Sequence, residues 1–128
     1  MARATRRVEP DDVRDLLAAP PRANLAFRRG DTVEAAPVAF RHDGGRYWVG
    51  VPRFGEGAPV GPGEVVKLVI DDGVWFFDLR GVWVRGRTVP AEPVPDGAPA
   101  SLVWYEIVPD KMVAWDYGTL RTVGDRGR

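Results

Sequence analysis

The 128-residue chain contains no cysteine. Disulfides, thiolate metal sites and a cysteine nucleophile are therefore excluded. His42 is the only histidine, too few for a histidine-rich metal centre, and Ser101, the only serine, has nothing like a nucleophile elbow around it, so a serine–histidine–aspartate triad is not supported. Lysine occurs only at Lys67 and Lys111. No apolar run approaches the length of a membrane span, and MARATRRVEP lacks the apolar centre of a secretory signal. A cytoplasmic protein without membrane contact is expected. Eighteen basic residues balance eighteen acidic ones, so no global field attracts nucleic acid.

What is present is β-structure. Glu64 to Pro90 reads EVVKLVIDDGVWFFDLRGVWVRGRTVP, two β-rich runs around Asp72-Gly73, a pair suited to a tight hairpin turn. The second run, Val74 to Val89, reads as one long strand. From Gly81 it alternates, with Val82, Val84, Gly86 and Thr88 on one side and Trp83, Arg85 and Arg87 on the other. So long a strand must coil, and Gly81 and Gly86 are where it can bulge. Long, coiled antiparallel strands are what a small closed barrel requires.

The rest of the chain fits one domain over residues 1–128, with tails at 1–8 and 122–128. Pro10, Asp11 and Asp12 open a short helix whose apolar stripe is Val13, Leu16 and Leu17, and Pro20-Pro21 stop it. Strands are expected at Ala23–Arg28, Val33–Arg41, Arg46–Arg53, Ser101–Val108 and Lys111–Asp116, the last two separated by Pro109-Asp110. Arg29-Gly30-Asp31 and Asp43-Gly44-Gly45 supply turns. Phe54–Gly63 has six Gly or Pro in ten residues and suits neither helix nor strand. Six to seven strands joined by tight turns, with one N-terminal helix, predict an all-β antiparallel barrel.

This order resembles the flavin-binding split barrels, the pyridoxamine 5′-phosphate oxidase-like superfamily that also contains deazaflavin (F420) enzymes. Three pieces carry the likeness. The first is a short helix ending in Leu16-Leu17 before the strand Ala23–Phe27. The second is Ala35-Ala36-Pro37-Val38-Ala39-Phe40, a turn and Gly45-Arg46-Tyr47-Trp48-Val49, similar to the family's "x-P-V-x-F … D-G-x-x-Y-x-x-T" hairpin. The third is Gly81-Val82-Trp83-Val84-Arg85-Gly86-Arg87, similar to "G-V-x-V-x-G", with the closing phrase Pro109–Asp116. The resemblance implies a homodimer with cofactor grooves between subunits. It also implies a phosphate held by basic residues at the end of the third strand, where Arg53 stands, and on the helix after it. Gly55–Gly63 replaces that helix and holds no Lys or Arg. The helix expected before the final strands is shortened to Pro93–Pro99.

On this resemblance the chain is an oxidoreductase that binds FMN or F420 and passes a hydride to or from a small organic substrate. Arg53, Lys67, Arg85 and Arg87 would hold anionic groups, with Trp83 or Trp115 against the ring. The plainer reading of each cation is a solvated charge on the barrel exterior. Trp115-Asp116-Tyr117 could wall a groove or pack on a dimer partner, and Trp48, Trp75, Trp104 and Tyr105 read as core or interface. Of the strand carboxylates Glu34, Asp78, Glu106 and Asp116, the candidates for acid–base work are Glu106 and Asp116. Glu106 shares a face with Trp104 and Val108, which could raise its pKa, or it could pair with an arginine on the adjacent strand. His42, beside a turn, is not expected to bind metal. The alternative function is a barrel without flavin that takes an apolar metabolite or performs acid–base chemistry, with Gly55–Gly63 as a lid.

Overall fold

The computed structural model describes residues 7–53, 58–61 and 63–120. Eight strands form one antiparallel sheet: β1 (Arg7–Val8), β2 (Arg22–Arg29), β3 (Thr32–Pro37), β4 (Ala39–Asp43), β5 (Arg46–Pro52), β6 (Val65–Asp72), β7 (Arg80–Pro90) and β8 (Leu102–Asp116). Their order is β3-β2-β6-β7-β8-β5-β4, with β1 added to β8. β3 and β4 are the two edges of that path, yet only Val38 separates them in the chain. The sheet must therefore curl until its edges approach. The Val38 N–H donates to the Ala23 carbonyl at 3.0 Å, tying the β3–β4 corner to β2. The all-β split barrel read from the sequence is the observed fold.

Alternation along the strands decides which side chains enter the barrel. Leu25 and Phe27 of β2, Val49 and Val51 of β5, Val66, Leu68 and Ile70 of β6, Val82 and Val84 of β7, and Ile107 of β8 fill the core. Val13 and Leu16 close one end from a 3-10 turn (Pro10–Val13) and a single helical turn, α1 (Asp15–Ala18). Val60 closes the other: the Tyr105 hydroxyl accepts from the Val60 N–H (3.2 Å) and donates to its carbonyl (3.0 Å). Burial of such side chains supplies about 1.5–3 kcal/mol each, which is why the inward face is almost wholly apolar; the buried Thr88 satisfies its hydroxyl on the Gly61 carbonyl at 3.1 Å.

Several boundaries differ from expectation. Residues Val74–Leu79 are not strand: Asp78 N–H bonds to Trp75 O at 2.8 Å and a 3-10 turn spans Phe76–Asp78. Val-Trp-Phe-Phe has no polar–apolar alternation to hold one face inward, so pairing resumes only where Arg80 meets Asp72. Gly73 does take a positive φ (102°), but it opens a longer connection rather than a two-residue turn. Pro109-Asp110 does not interrupt β8, because Pro109 lies opposite Gly86, where the β7 register slips. Such a bulge accommodates the missing proline N–H. Val33–Arg41 is two strands, not one, and Arg46–Arg53 ends as strand at Pro52. Arg7-Val8, read as tail, pairs with Trp115 and Ala114. Residues 1–6, 54–57, 62 and 121–128, which include most of both expected tails and part of the proposed lid, lie outside the described residues.

Candidate functional site

Neighbouring registers place Lys67 of β6, Arg85 of β7 and Lys111 of β8 side by side on the outer face of the sheet. One step along the same face, Val69, Trp83 and Val113 form the next row. Two ammonium groups converge on one indole: Lys67 Nζ lies 4.1 Å from the Trp83 ring centroid and Lys111 Nζ 6.0 Å. An indole face attracts cations through its quadrupole, which offsets part of the repulsion between them. Neither ammonium has a carboxylate partner among the described residues.

Beside this row runs a groove of about 320 Å³ lined by Arg7, Lys67, Trp83, Val113, Trp115 and Tyr117. Trp115 reaches it by lying over Gly81, where a Cβ would come within 2.6 Å of the Trp115 Cζ2 atom. Gly81 is thus required by the close approach of the indole. Two cations, three aromatic rings and no carboxylate line the groove. Such a surface suits a planar group carrying negative charge.

The sequence-derived candidates divide. Lys67, Trp83 and Trp115 meet in this groove. Arg85 borders it, but its Nε donates to Asp110 Oδ1 at 2.8 Å, so its charge is largely spent. Arg87 is engaged farther along β7 by the Gly63 carbonyl at 2.8 Å. Arg53 stands apart, exposed just past the Pro52–Leu102 pair, at the opposite end of β8 from Trp115. Lys111 and Arg7 were missed. Lys111 could have been found from the β7–β8 register, whereas Arg7 carried no signal, since only tertiary pairing takes it out of the tail.

Glu106 is not a poised acid. It accepts from Arg46 Nη2 (2.6 Å) and Nε (3.0 Å), and these bonds hold its carboxyl below the usual range despite partial burial. The raised pKa considered from its apolar neighbours is overturned, and the arginine-paired alternative is the observed one. Asp116, at the end of β8, accepts from the Gly118 N–H at 2.8 Å and does not line the groove. His42 stacks near Tyr47, with 4.7 Å between ring centroids. Trp48 and Tyr105 are buried as expected, while Trp75 is far from the core at 74% exposed. The lid reading fails for Val60, which Tyr105 pins from both sides.

No family model matches the sequence, and no curated protein matches it. Solved structures do match in shape. A conserved hypothetical protein of Mycobacterium tuberculosis superposes with a TM-score of 0.66 at 18% identity, covering 100% of this chain and 99% of that one. The FAD binding protein of Mycobacterium smegmatis gives 0.63 at 15% identity, over 84% of this chain and 95% of that one. A Corynebacterium glutamicum protein assigned as a pyridoxamine 5′-phosphate oxidase gives 0.59 at 17% identity, over 89% and 94%. The fold is that of the split barrels. Identities this low carry the architecture and leave the chemistry to the residues of this chain. No helix among the described residues is long and apolar enough to cross a membrane.

Proposed function

We propose that this split barrel is a cytosolic homodimer that binds a flavin-type cofactor in the Lys67–Trp83–Trp115 groove and serves hydride transfer to or from a small organic substrate. The observation that carries the reading is the pair of ammonium groups on Trp83, beside aromatic walls and away from any lining carboxylate. A flavin or deazaflavin is planar and carries phosphate, so these residues fit its two demands. Lys67 and Lys111 would meet its negative charge, and Trp115 or Tyr117 would lie against the ring. The bound cofactor supplies the redox chemistry; the chain's own part is to orient it and exclude water. FMN and F420 are the expected forms, and the name of the Mycobacterium smegmatis relative adds FAD.

The test is a titration of the purified chain with FMN, F420 and FAD in turn, followed by melting temperature and ligand fluorescence. A ligand at 100 times its Kd adds about 2.7 kcal/mol to stability, a readily measured shift. A colourless protein whose melting is unmoved by all three would end this reading.

A second reading, a barrel without flavin that takes an apolar metabolite, is favoured by a different cavity. Ala58, Val60, Pro90, Val103, Trp104 and Tyr105 line about 290 Å³ of almost wholly apolar space at the other end of the molecule's β5–β8 seam. Stabilisation by a small hydrocarbon ligand, cancelled by Val103→Asp but not by Lys67→Ala, would support it.

A further inference from the structure

Every polar side-chain atom that lines the apolar cavity of Val60, Val103 and Trp104 already has a partner. The Tyr105 hydroxyl accepts from the Val60 N–H at 3.2 Å and donates to the Val60 carbonyl at 3.0 Å. Trp104 Nε1 donates to the Pro99 carbonyl at 3.1 Å, and Pro90 has no N–H to give. A buried water needs about two to four polar partners, so this space favours a hydrocarbon group over solvent. Its walls are preformed. Val60 is fixed by Tyr105, and Gly50 lets the Trp104 indole lie against β5, since a Cβ there would come within 2.8 Å of Trp104 Cζ2.

The charge beside this cavity belongs to Arg53. β5 and β8 are paired as far as Pro52–Leu102, with Val51 opposite Val103. Arg53 is the next residue along, so by strand spacing its Cα stands about 8 Å from that of Val103, a wall of the cavity. An extended arginine spans that interval. Arg53 is exposed and has no carboxylate partner among the described residues, and no carboxylate lines the cavity. Arg28 and Arg29 border a neighbouring cleft that shares Ala58, but Glu64 lines that cleft too.

We infer that the cavity binds an apolar carboxylate, its hydrocarbon part against Val103 and Trp104 and its head on the Arg53 guanidinium. The inference rests on the apolar-metabolite reading of this cavity and deepens it by naming the class of ligand. A guanidinium fork meets a carboxylate with two parallel hydrogen bonds. A phosphate dianion would leave one charge unanswered at a single cation. The volume of about 290 Å³, against the ~150 Å³ that holds benzene, suits one substituted ring or a chain of roughly eight carbons. Arg53 thus acquires a ligand role at the opposite end of β8 from the Trp115 groove.

The test titrates octanoate and octanol, its neutral counterpart of equal chain length, into the full chain by isothermal calorimetry. Octanoate should bind at least ~10-fold tighter, the worth of one charge-assisted contact, and added salt should narrow the margin. Arg53→Ala should erase the preference while octanol binding stays as in wild type. The side chain is exposed, so the variant should fold, with circular dichroism as the check. Arg53→Lys should restore part of the margin, and Arg28→Ala should alter neither affinity. A preference that survives Arg53→Ala, or that Arg28→Ala removes, would overturn the inference. Equal affinity for the two ligands would overturn the carboxylate assignment and leave the apolar reading of the cavity standing. Binding of neither would end both.

Discussion

Two outer faces of the same sheet are built from the same parts and do opposite things. On β4, β5 and β8, Arg46 lies 4.7 Å from the ring centroid of Trp48. On β6, β7 and β8, Lys67 lies 4.1 Å from that of Trp83. In the first pair the cation is neutralised by two hydrogen bonds to Glu106 and also reaches the Glu92 carbonyl. Segment Pro93–Asp96 borders the same site, held by an Arg41 hydrogen bond to the Asp96 carbonyl, and Trp48 is only 7% exposed. In the second pair no carboxylate answers the ammonium and no segment among the described residues covers the indole. A tryptophan with a cation is therefore not in itself a binding element. The counter-charge and the cover decide whether the pair serves the fold or remains available to a ligand.

Truncation should break the comparison most sharply at the covered face. Trp48→Ala is expected to cost about 3–5 kcal/mol in urea unfolding, as for other buried aromatics, while Trp83→Ala should cost no more than about 1 kcal/mol. Equal losses at the two sites would mean that the outer face of β6–β8 is also structural. Next in size is the ligand arm: Lys67→Ala should weaken flavin binding by about 10-fold, the worth of one charge-assisted contact, with little change in melting. Raising salt should narrow that difference, since the groove is open to solvent.

A smaller effect is expected from pH. Glu106 has its folded pKa depressed below the ordinary 4.5 by Arg46, so its contribution is complete above that value and is lost as pH falls through the lower folded pKa. Asp15, lowered by Arg80, titrates in the same sense. Melting temperature against pH should therefore show a gap between wild type and Glu106→Gln at neutral pH that closes in acid. A gap constant down to the most acidic measurable pH would show that the ion pair does not stabilise the covered face. Smallest of all is Trp48→Phe. Trp48 Nε1 is buried without an acceptor among the described residues, so removing that donor offsets the lost volume. Unfolding within about 1 kcal/mol of wild type is expected.

Much of the fold could be read from periodicity. Val82, Val84 and Thr88 point inward and Trp83, Arg85 and Arg87 outward, as two-residue alternation requires. The site was half readable, because one-strand patterns show which face a residue occupies but not what stands opposite. Lys67 and Trp83 could be placed on outer faces, whereas the Lys67–Arg85–Lys111 row exists only through the registers of three strands. Glu106 shows the same gap: its neighbours along β8 suggested an apolar setting, and its true partner, Arg46, lies on β5, 60 positions away in the chain. Val74–Phe77 misled for another reason. Its β-favouring residues carry no alternation, and propensity without a face to bury does not make a strand.

The amino-acid order alone pointed to a β-rich antiparallel barrel and excluded thiol chemistry, because composition and alternation act locally and need no partner. Which cations are neutralised, which indoles are covered and where Arg7 and Tyr117 come to rest were decided only by the curled sheet. Charge and solvent access depend on atoms distant in sequence, and only strand pairing brings those atoms within reach of one another.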